Sequence, residues 1–402
     1  MKILFVCQHY WPEQFLSTGM CEGLAARGHD ITALVGIPNY PTGIIPEEYR
    51  CGRNREQIHN GVRVVRAEEV PRKPGIVGLA KNYWSYMRGA DRRLAELEGG
   101  YDVIFTYQIS PVIMSEPAMR AKKLFGVPML MYCADIWPDA VLAMLPDPLR
   151  FLMPAIRRVS TGLYRSADLI ATSSRAYIDC FEQVHGIERS RCCYVPQYAD
   201  DAYLDMDLSA EPSDKTRFMV MGNIGKLQYM SVLMEAIDLL KEHYDFELHV
   251  VGTGSAMSYC KGFVASHGLE GHVVFHGRHP IEEMPQFYRM ADACVLTLYV
   301  PGAPWISSTL PSRLQGYMAA GKPVLAAIDG SAAEVIAESG CGASVSGADS
   351  AGLAALMADF IDDREKYGEC GERGRAYFRE NFTRSRFMDE LEGLLVGIAK
   401  GR

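Results

Sequence analysis

The stretch Met219 to Lys226 of this 402-residue sequence reads MVMGNIGK, directly after a strand-like run and shortly before a helical one. Gly222 and Gly225 let the backbone come close to a ligand. Free N–H groups and the dipole of the following helix favour an anion, and Lys226 adds a positive charge. A diphosphate suits that combination, although a plain strand-to-helix turn uses the same glycines. A second glycine turn, Gly252-Thr253-Gly254-Ser255, follows the next strand-like run, where a nucleotide would lie across the sheet. Neither turn has the Walker spacing or the dinucleotide fingerprint, which disfavours an NTPase or a dehydrogenase.

A third cluster, Pro301 to Val324, begins as a loop rich in Pro, Ser and Thr and ends in a helix over Arg313 to Ala320 closed by Gly321. Ser312 is placed to cap that helix. Alternatively, the open N–H groups at the helix start, together with Arg313, bind phosphate oxygens. In the first half, Asp135-Ile136-Trp137-Pro138-Asp139 follows another strand. Carboxylates accept hydrogen bonds from sugar hydroxyls and an indole face packs on a sugar ring, while the plainer role for Asp139 is to cap a helix. Tyr10-Trp11-Pro12-Glu13 and Ile37-Pro38-Asn39-Tyr40-Pro41 are similar loops after strands. His272, His276 and His279 alternate along a strand with no carboxylate or cysteine at ligand spacing, so no metal is expected. No Ser-His-Asp or Cys-His set is readable.

These loops need strands to carry them. Short apolar runs at Ile3–Cys7, Asp30–Val35, Val62–Arg66, Val103–Tyr107, Met129–Tyr132 and Leu169–Thr172 are mostly separated by helix-length segments, beginning with Thr18–Arg27. After Val195-Pro196 the pattern restarts with runs at Arg217–Met221, Glu247–Val251, Val273–His276, Ala293–Leu298 and Pro323–Ala326, and a helical stretch at Ser231–Glu242. Such alternation argues for parallel, doubly wound sheets. The domains are expected at 1–198 and 199–375, with 376–402 a helix packing back on the first. Ligands of such sheets bind beyond the carboxyl ends of the strands, so the chemistry is expected in a cleft between the halves.

Composition agrees with two full domains: 48% hydrophobic and 22% charged residues is ordinary globular usage. Eleven cysteines without a C-x-x-C pair indicate neither a disulfide framework nor a zinc site, and a reducing cytoplasmic setting is expected. No apolar run reaches the roughly 18 residues of a spanning helix. Residues 1–200 carry 23 Lys and Arg against 21 Asp and Glu, leaving 18 against 28 for the rest, so the first half suits an anionic partner. Basic and aromatic residues mix over Tyr49–Lys73, Leu79–Leu94 and Phe151–Arg165, which fits a membrane surface or an ordinary solvated face.

Taken together, IPNYP at Ile37–Pro41, DIWPD at Asp135–Asp139, GNIGK at Gly222–Lys226, Gln228 and the run from Pro311 to Gly330 make the chain resemble GT-B glycosyltransferases of family 4. The closer resemblance is to the branch that builds O-antigen, capsule and colanic-acid repeat units and includes N-acetyl-fucosamine transferases. It implies two Rossmann-like domains facing across a cleft and a retaining, metal-independent hexosyl transfer without a cofactor. The implied partners are a nucleotide-sugar donor, commonly UDP-linked, and a polyprenyl-diphosphate-linked sugar acceptor at the cytoplasmic face of the inner membrane, with no nucleic acid.

The resemblance carries roles with it. Lys226 and Arg313 would stabilise the departing diphosphate, and Asp135 would act at the reacting sugars. Gly19, Gly222, Asn223, Gln228, Gly252, Thr253, Gly254, Arg278, Ser312, Leu314 and Glu334 would hold the donor. Trp11, Asn39, Tyr40, Gln108, Trp137 and Asp139 would hold the acceptor. The family's pair of glutamates is replaced by Ser308 and Gly316, so Gln315 or Glu334 is expected to hold the ribose unless donor affinity is weak. The family's Gly-rich loop after the first strand is likewise replaced by Gln14-Phe15-Leu16-Ser17-Thr18-Gly19. Two other readings remain: a nucleotide-sugar 2-epimerase of the same architecture, and a non-catalytic scaffold in a glycan assembly complex.

Overall fold

The structure, a computed structural model, describes residues 1–138, 147–303, 305 and 309–401. It divides into two units, Met1–Val195 with Met388–Arg402, and Pro196–Phe387. The first contains β1 (Lys2–Val6), β2 (Asp30–Val35), β3 (Glu56–His59), β4 (Val62–Arg66), β5 (Val103–Gln108), β6 (Met129–Cys133), β7 (Leu169–Thr172) and β8 (Cys192–Tyr194). Their order in the sheet is β3-β4-β2-β1-β5-β6-β7-β8. Every pairing is parallel except β3 with β4. β1, β5 and β6 are buried along nearly their whole length, as expected where helices cover both faces of a parallel sheet.

The second unit holds β9 (Thr216–Met221), β10 (Phe246–Val251), β11 (Val273–Gly277), β12 (Ala293–Leu298), β13 (Val324–Ile328) and β14 (Gly342–Val345). All are parallel, in the order β11-β10-β9-β12-β13-β14. One apolar layer is built by the helices Met230–Leu240, Met257–His267 and Ser350–Asp362, around Leu233, Ile237, Leu248 and Met357. The opposite layer holds Leu314, Met318 and Ile336, under the helices Ser312–Ala319 and Ser331–Ser339. In both units the strand order reverses beside the first strand, which opens a crevice at the carboxyl ends of β1 and of β9.

The expected strands are all present, with ends shifted by no more than two residues. β3, β8 and β14 were not expected. Asn60 (φ 44°) and Gly61 (φ 82°) turn the chain between β3 and β4, an Asn-Gly hairpin signal that the alternation of strands with helices does not contain. The carboxy-terminal segment also differs. Phe378 and Phe382 are buried in the second unit, so residues from 376 do not all return to the first. The return comes within the last helix, Arg384–Lys400, from Met388 onward. A Cβ on Gly23 would sit 2.7 Å from Met388 Cε. Arg27 pairs with Asp389 at 2.6 Å and Glu392 at 2.7 Å, and Glu392 also meets His29 at 2.7 Å.

The two glycine turns of the second unit meet backbone to backbone. Gly222 N donates to Val251 O (2.9 Å), Ile224 N to Thr253 O (3.0 Å) and Ala256 N to Ile224 O (2.9 Å). Gly252 lies at φ 147°, and a Cβ there would fall 1.8 Å from Gly222 O. In the first unit His185 is buried against Tyr164 and Phe181, with Nδ1 2.7 Å from Thr161 Oγ1, and burial pushes its pKa down to about 4.

Two expectations follow. Gly252→Ala should destabilise the second unit on the order of 2–3 kcal/mol, read by chemical unfolding, because either the turn or its neighbour must move. For His185, the unfolded imidazole takes up its proton near its ordinary 6.5 and the folded one only near 4. Stability is therefore lost as pH falls from about 6.5 to about 4, by roughly 3 kcal/mol from this group. Unfolding curves of the wild type and His185→Gln should diverge across that window.

Candidate functional site

In the second unit the turns after β9 and β10 and the start of the Ser312–Ala319 helix come together. Gly222 adopts φ 109°, open to glycine, and a Cβ there would stand 3.7 Å from Arg313 Nη2. Arg313 Nη2 donates to Asn223 O (2.7 Å), while its Nη1 is buried and has no hydrogen-bond partner among the described residues. A charged donor left in that state is suited to an anionic ligand. The buried Tyr317 hydroxyl accepts Met221 N (3.0 Å), tying the end of β9 to this helix. Lys226 is exposed, and its ammonium makes no hydrogen bond or ion pair among the described residues.

Several donor-side residues shape the loop. Gln228 Oε1 accepts Gly225 N (2.9 Å), closing the short turn that begins at Lys226. Thr253 is exposed and its carbonyl is used by Ile224, while a Cβ on Gly254 would lie 2.3 Å from Ile224 O. Arg278 is exposed just beyond β11, where Gly277 O accepts Gly252 N (2.7 Å). Ser312 is not the cap expected of it. Pro311 occupies that position without a side-chain cap, and Ser312 is the first helical residue, exposed, so the helix start keeps uncapped N–H groups.

Other positions point elsewhere. Leu314 is fully buried in the core and offers a ligand no side-chain contact. Gln315 is buried, with Nε2 donating to Gln197 O. A Cβ on Gly316 would come within 3.1 Å of the Tyr288 hydroxyl, so a glutamate there needs that ring to give way. Glu334 is exposed in the first turn of the Ser331–Ser339 helix, beyond the end of β13. Gly19 sits within the Leu16–Ala26 helix of the first unit. Ser308, like Asp139, lies outside the described residues.

In the first unit, Asp135 Oδ2 accepts Ser110 N (3.0 Å) and Trp137 Nε1 donates to Ser110 Oγ (2.8 Å), so one serine braces the loops after β5 and β6. Burial pushes the Asp135 carboxyl above its ordinary value, opposed by the Ser110 N–H. Trp137 N donates to the Tyr164 hydroxyl (2.9 Å). Gln108 is buried, donating to Ile109 O (2.9 Å) and accepting from the Cys133 thiol (2.8 Å). The Trp11 ring stacks on His59 with centroids 3.8 Å apart. Asn39 is buried and its amide is occupied, donating to Ile37 O and Glu69 and accepting Arg72 N (2.9 Å). Tyr40 is 45% exposed over His9 and Phe15.

Sequence reasoning missed the polar network beneath these loops. Gln8 Nε2 bridges Glu69 Oε2 (2.8 Å) and Asn82 Oδ1 (2.9 Å), and burial pushes the Glu69 pKa up to about 8 against the pull of the Gln8 and Asn39 amides. The signal was positional: Gln8, Asn39 and Glu69 each stand two to four residues past the carboxyl end of β1, β2 or β4. Among the described residues no group of three His, Cys, Asp or Glu side chains converges on one point. His276 Nε2 lies 2.9 Å from His249 Nδ1, and His279 Nδ1 lies 2.7 Å from Glu283.

Comparison with known proteins gives this geometry its context. Residues 205–377 match the family described as "Glycosyl transferases group 1", and residues 17–197 match "Glycosyl transferase 4-like domain". The putative colanic acid biosynthesis glycosyl transferase WcaI of Escherichia coli K12 is 26% identical over 345 residues, 80% of this chain and 82% of that protein. The GDP-mannose-dependent alpha-(1-6)-phosphatidylinositol monomannoside mannosyltransferase of Mycolicibacterium smegmatis is 27% identical, over 62% of this chain and 68% of its own. Among solved structures, Anabaena Alr3699/HepE with UDP and glucose superposes with a TM-score of 0.70 at 18% identity, covering 98% and 99% of the two chains. The sucrose-phosphate synthase of Thermosynechococcus elongatus gives 0.77 at 15% identity over both full chains. With one glycosyltransferase family matched in each half and the fold shared with these structures, the chain belongs to the glycosyltransferases of GT-B fold.

Proposed function

We propose that the protein transfers a sugar, with retention and without a metal, from a UDP-sugar to a polyprenyl-diphosphate-linked precursor of a cell-surface glycan. The observation that carries this reading is the Arg313 guanidinium, buried at Nη1 beside the Gly222 turn, with Lys226 on the same loop, neither Nη1 nor the ammonium having a partner among the described residues, and a helix start without a side-chain cap. The anchored Arg313, the Lys226 ammonium and a set of backbone N–H groups neutralise charge as a diphosphate departs, the task a metal performs elsewhere. Retention follows from the family resemblance. The donor class is supported by the Anabaena protein solved with UDP-glucose, and the acceptor class by the WcaI protein named for colanic acid biosynthesis.

Glu334 is assigned to the donor ribose in place of the residue replaced by Gly316, since Gln315 is committed to Gln197 O. On the acceptor side, an anionic membrane surface suits the helices Ile76–Glu96 and Met153–Ser166. They expose Trp84 and Val159 beside Arg88 and Arg158, with Phe151 74% exposed just ahead of the second helix. No helix of the described residues is long and apolar enough to cross a membrane.

Lys226→Ala and Arg313→Ala should each lower turnover by roughly 10²- to 10³-fold, with unfolding midpoints near that of the wild type, because both groups act on the leaving group. Glu334→Gln should weaken UDP binding about 10-fold by calorimetry, one charge-assisted hydrogen bond's worth. A donor screen with synthetic lipid-diphosphate sugars supplies the assay. Unchanged turnover in both cation variants, or no UDP binding at millimolar concentration, would overturn the reading.

A further inference from the structure

The segment His9–Glu13, of which only Trp11 has been given a role, holds a histidine–carboxylate pair. His9 follows β1, almost fully buried, its ring stacked on Phe15 (4.8 Å between centroids) with the Tyr40 ring set edgewise at 5.2 Å. Its Nδ1 lies 2.7 Å from Glu13 Oε2. The other carboxylate oxygen, Oε1, accepts Asn39 N and Tyr40 N, each at 2.7 Å. Glu13 thus acts as an acceptor throughout, so Nδ1 carries a ring proton and, in the neutral ring, the lone pair is on Nε2. Nε2 has no hydrogen-bond partner among the described residues and is not sealed from solvent.

The pair has more organisation than a loop clamp requires. The two Glu13 contacts to the Asn39–Tyr40 backbone already hold that loop to the first. The His9 ring, fixed in rotation by the carboxylate and in tilt by two aromatic rings, presents one unsatisfied acceptor at the strand end where ligands of this sheet bind. Beside it Tyr40 exposes an aromatic edge with the Arg72 guanidinium 5.3 Å from its centre. A hydrogen-bond acceptor next to an aromatic ring is the chemistry that orients a sugar hydroxyl.

We infer that His9 Nε2 accepts a hydrogen bond from a hydroxyl of the acceptor sugar and so orients that sugar, held in that tautomer by Glu13. This rests on the transferase reading above and adds a substrate-contacting residue to it. In His9→Asn the side-chain amide can still donate to Glu13 but reaches no further, so the clamp is kept and the acceptor nitrogen lost. Transfer to lipid-diphosphate sugars should fall about 10²-fold while UDP affinity, read by calorimetry, stays at the wild-type value. Nitrogen-15 NMR of the wild type should show His9 carrying its proton on Nδ1. Transfer at the wild-type rate in His9→Asn, UDP affinity falling in step with transfer, or a proton on Nε2 would each overturn the assignment. Should the wild type transfer to no acceptor of the panel, the transferase reading fails instead, while the tautomer still decides whether Nε2 is an acceptor and needs no variant that folds.

Discussion

The close approach of two backbone turns, Gly222 against Gly252, is the constraint on which the geometry of the proposed donor site depends. Any side chain at position 252 would occupy the space of the Gly222 carbonyl. Because that space stays empty, the β9 turn can lie against the β10 turn, and Arg313 can span from its own helix to the Asn223 carbonyl. Tyr317 fixes the helix from below by accepting Met221 N. The guanidinium is therefore held by backbone it does not itself build, which is the condition for a charged group to be preorganised rather than recruited.

A different solution operates in the first unit. There side chains link neighbouring strand ends: Ser110 joins Asp135 to Trp137, and Glu13 joins the first loop to the second. Desolvation dominates, raising both Asp135 and Glu69, so the carboxyl groups are kept by networks of amide and backbone donors rather than by cations. The two units thus differ in the chemistry they present, cationic and backbone-lined in one, amide- and carboxyl-lined in the other.

The strand-helix alternation was legible because buried parallel strands are written as short apolar runs, and β2, β4, β7 and β12 occupy the spans their sequences suggest. β3 was not, since Glu56–His59 is polar at an exposed sheet edge and betrays itself only through Asn60-Gly61. Gly222, Lys226 and Arg313 stand out by type and position, and the fold sets Gly222 beside Arg313 with Lys226 on the same turn. The side chains of Asn39 and Leu314 are buried instead of presented, for one reason: a motif shows which residues stand near a strand end, and the backbone direction that turns one side chain inward is set by tertiary packing. The same limit hid Glu69, whose partners Gln8 and Asn39 lie 61 and 30 residues away.

The last helix begins in the second unit and from Met388 belongs to the first. In order of synthesis the whole of the second unit therefore precedes the segment that covers Gly23, Arg27 and His29. Until that segment is made, Gly23 lacks the Met388 side chain packed against it, and Arg27 lacks Asp389 and Glu392. The amino-terminal unit leaves the ribosome before the second unit and is nonetheless finished after it, and a fragment ending at Val195 would lack part of its own surface.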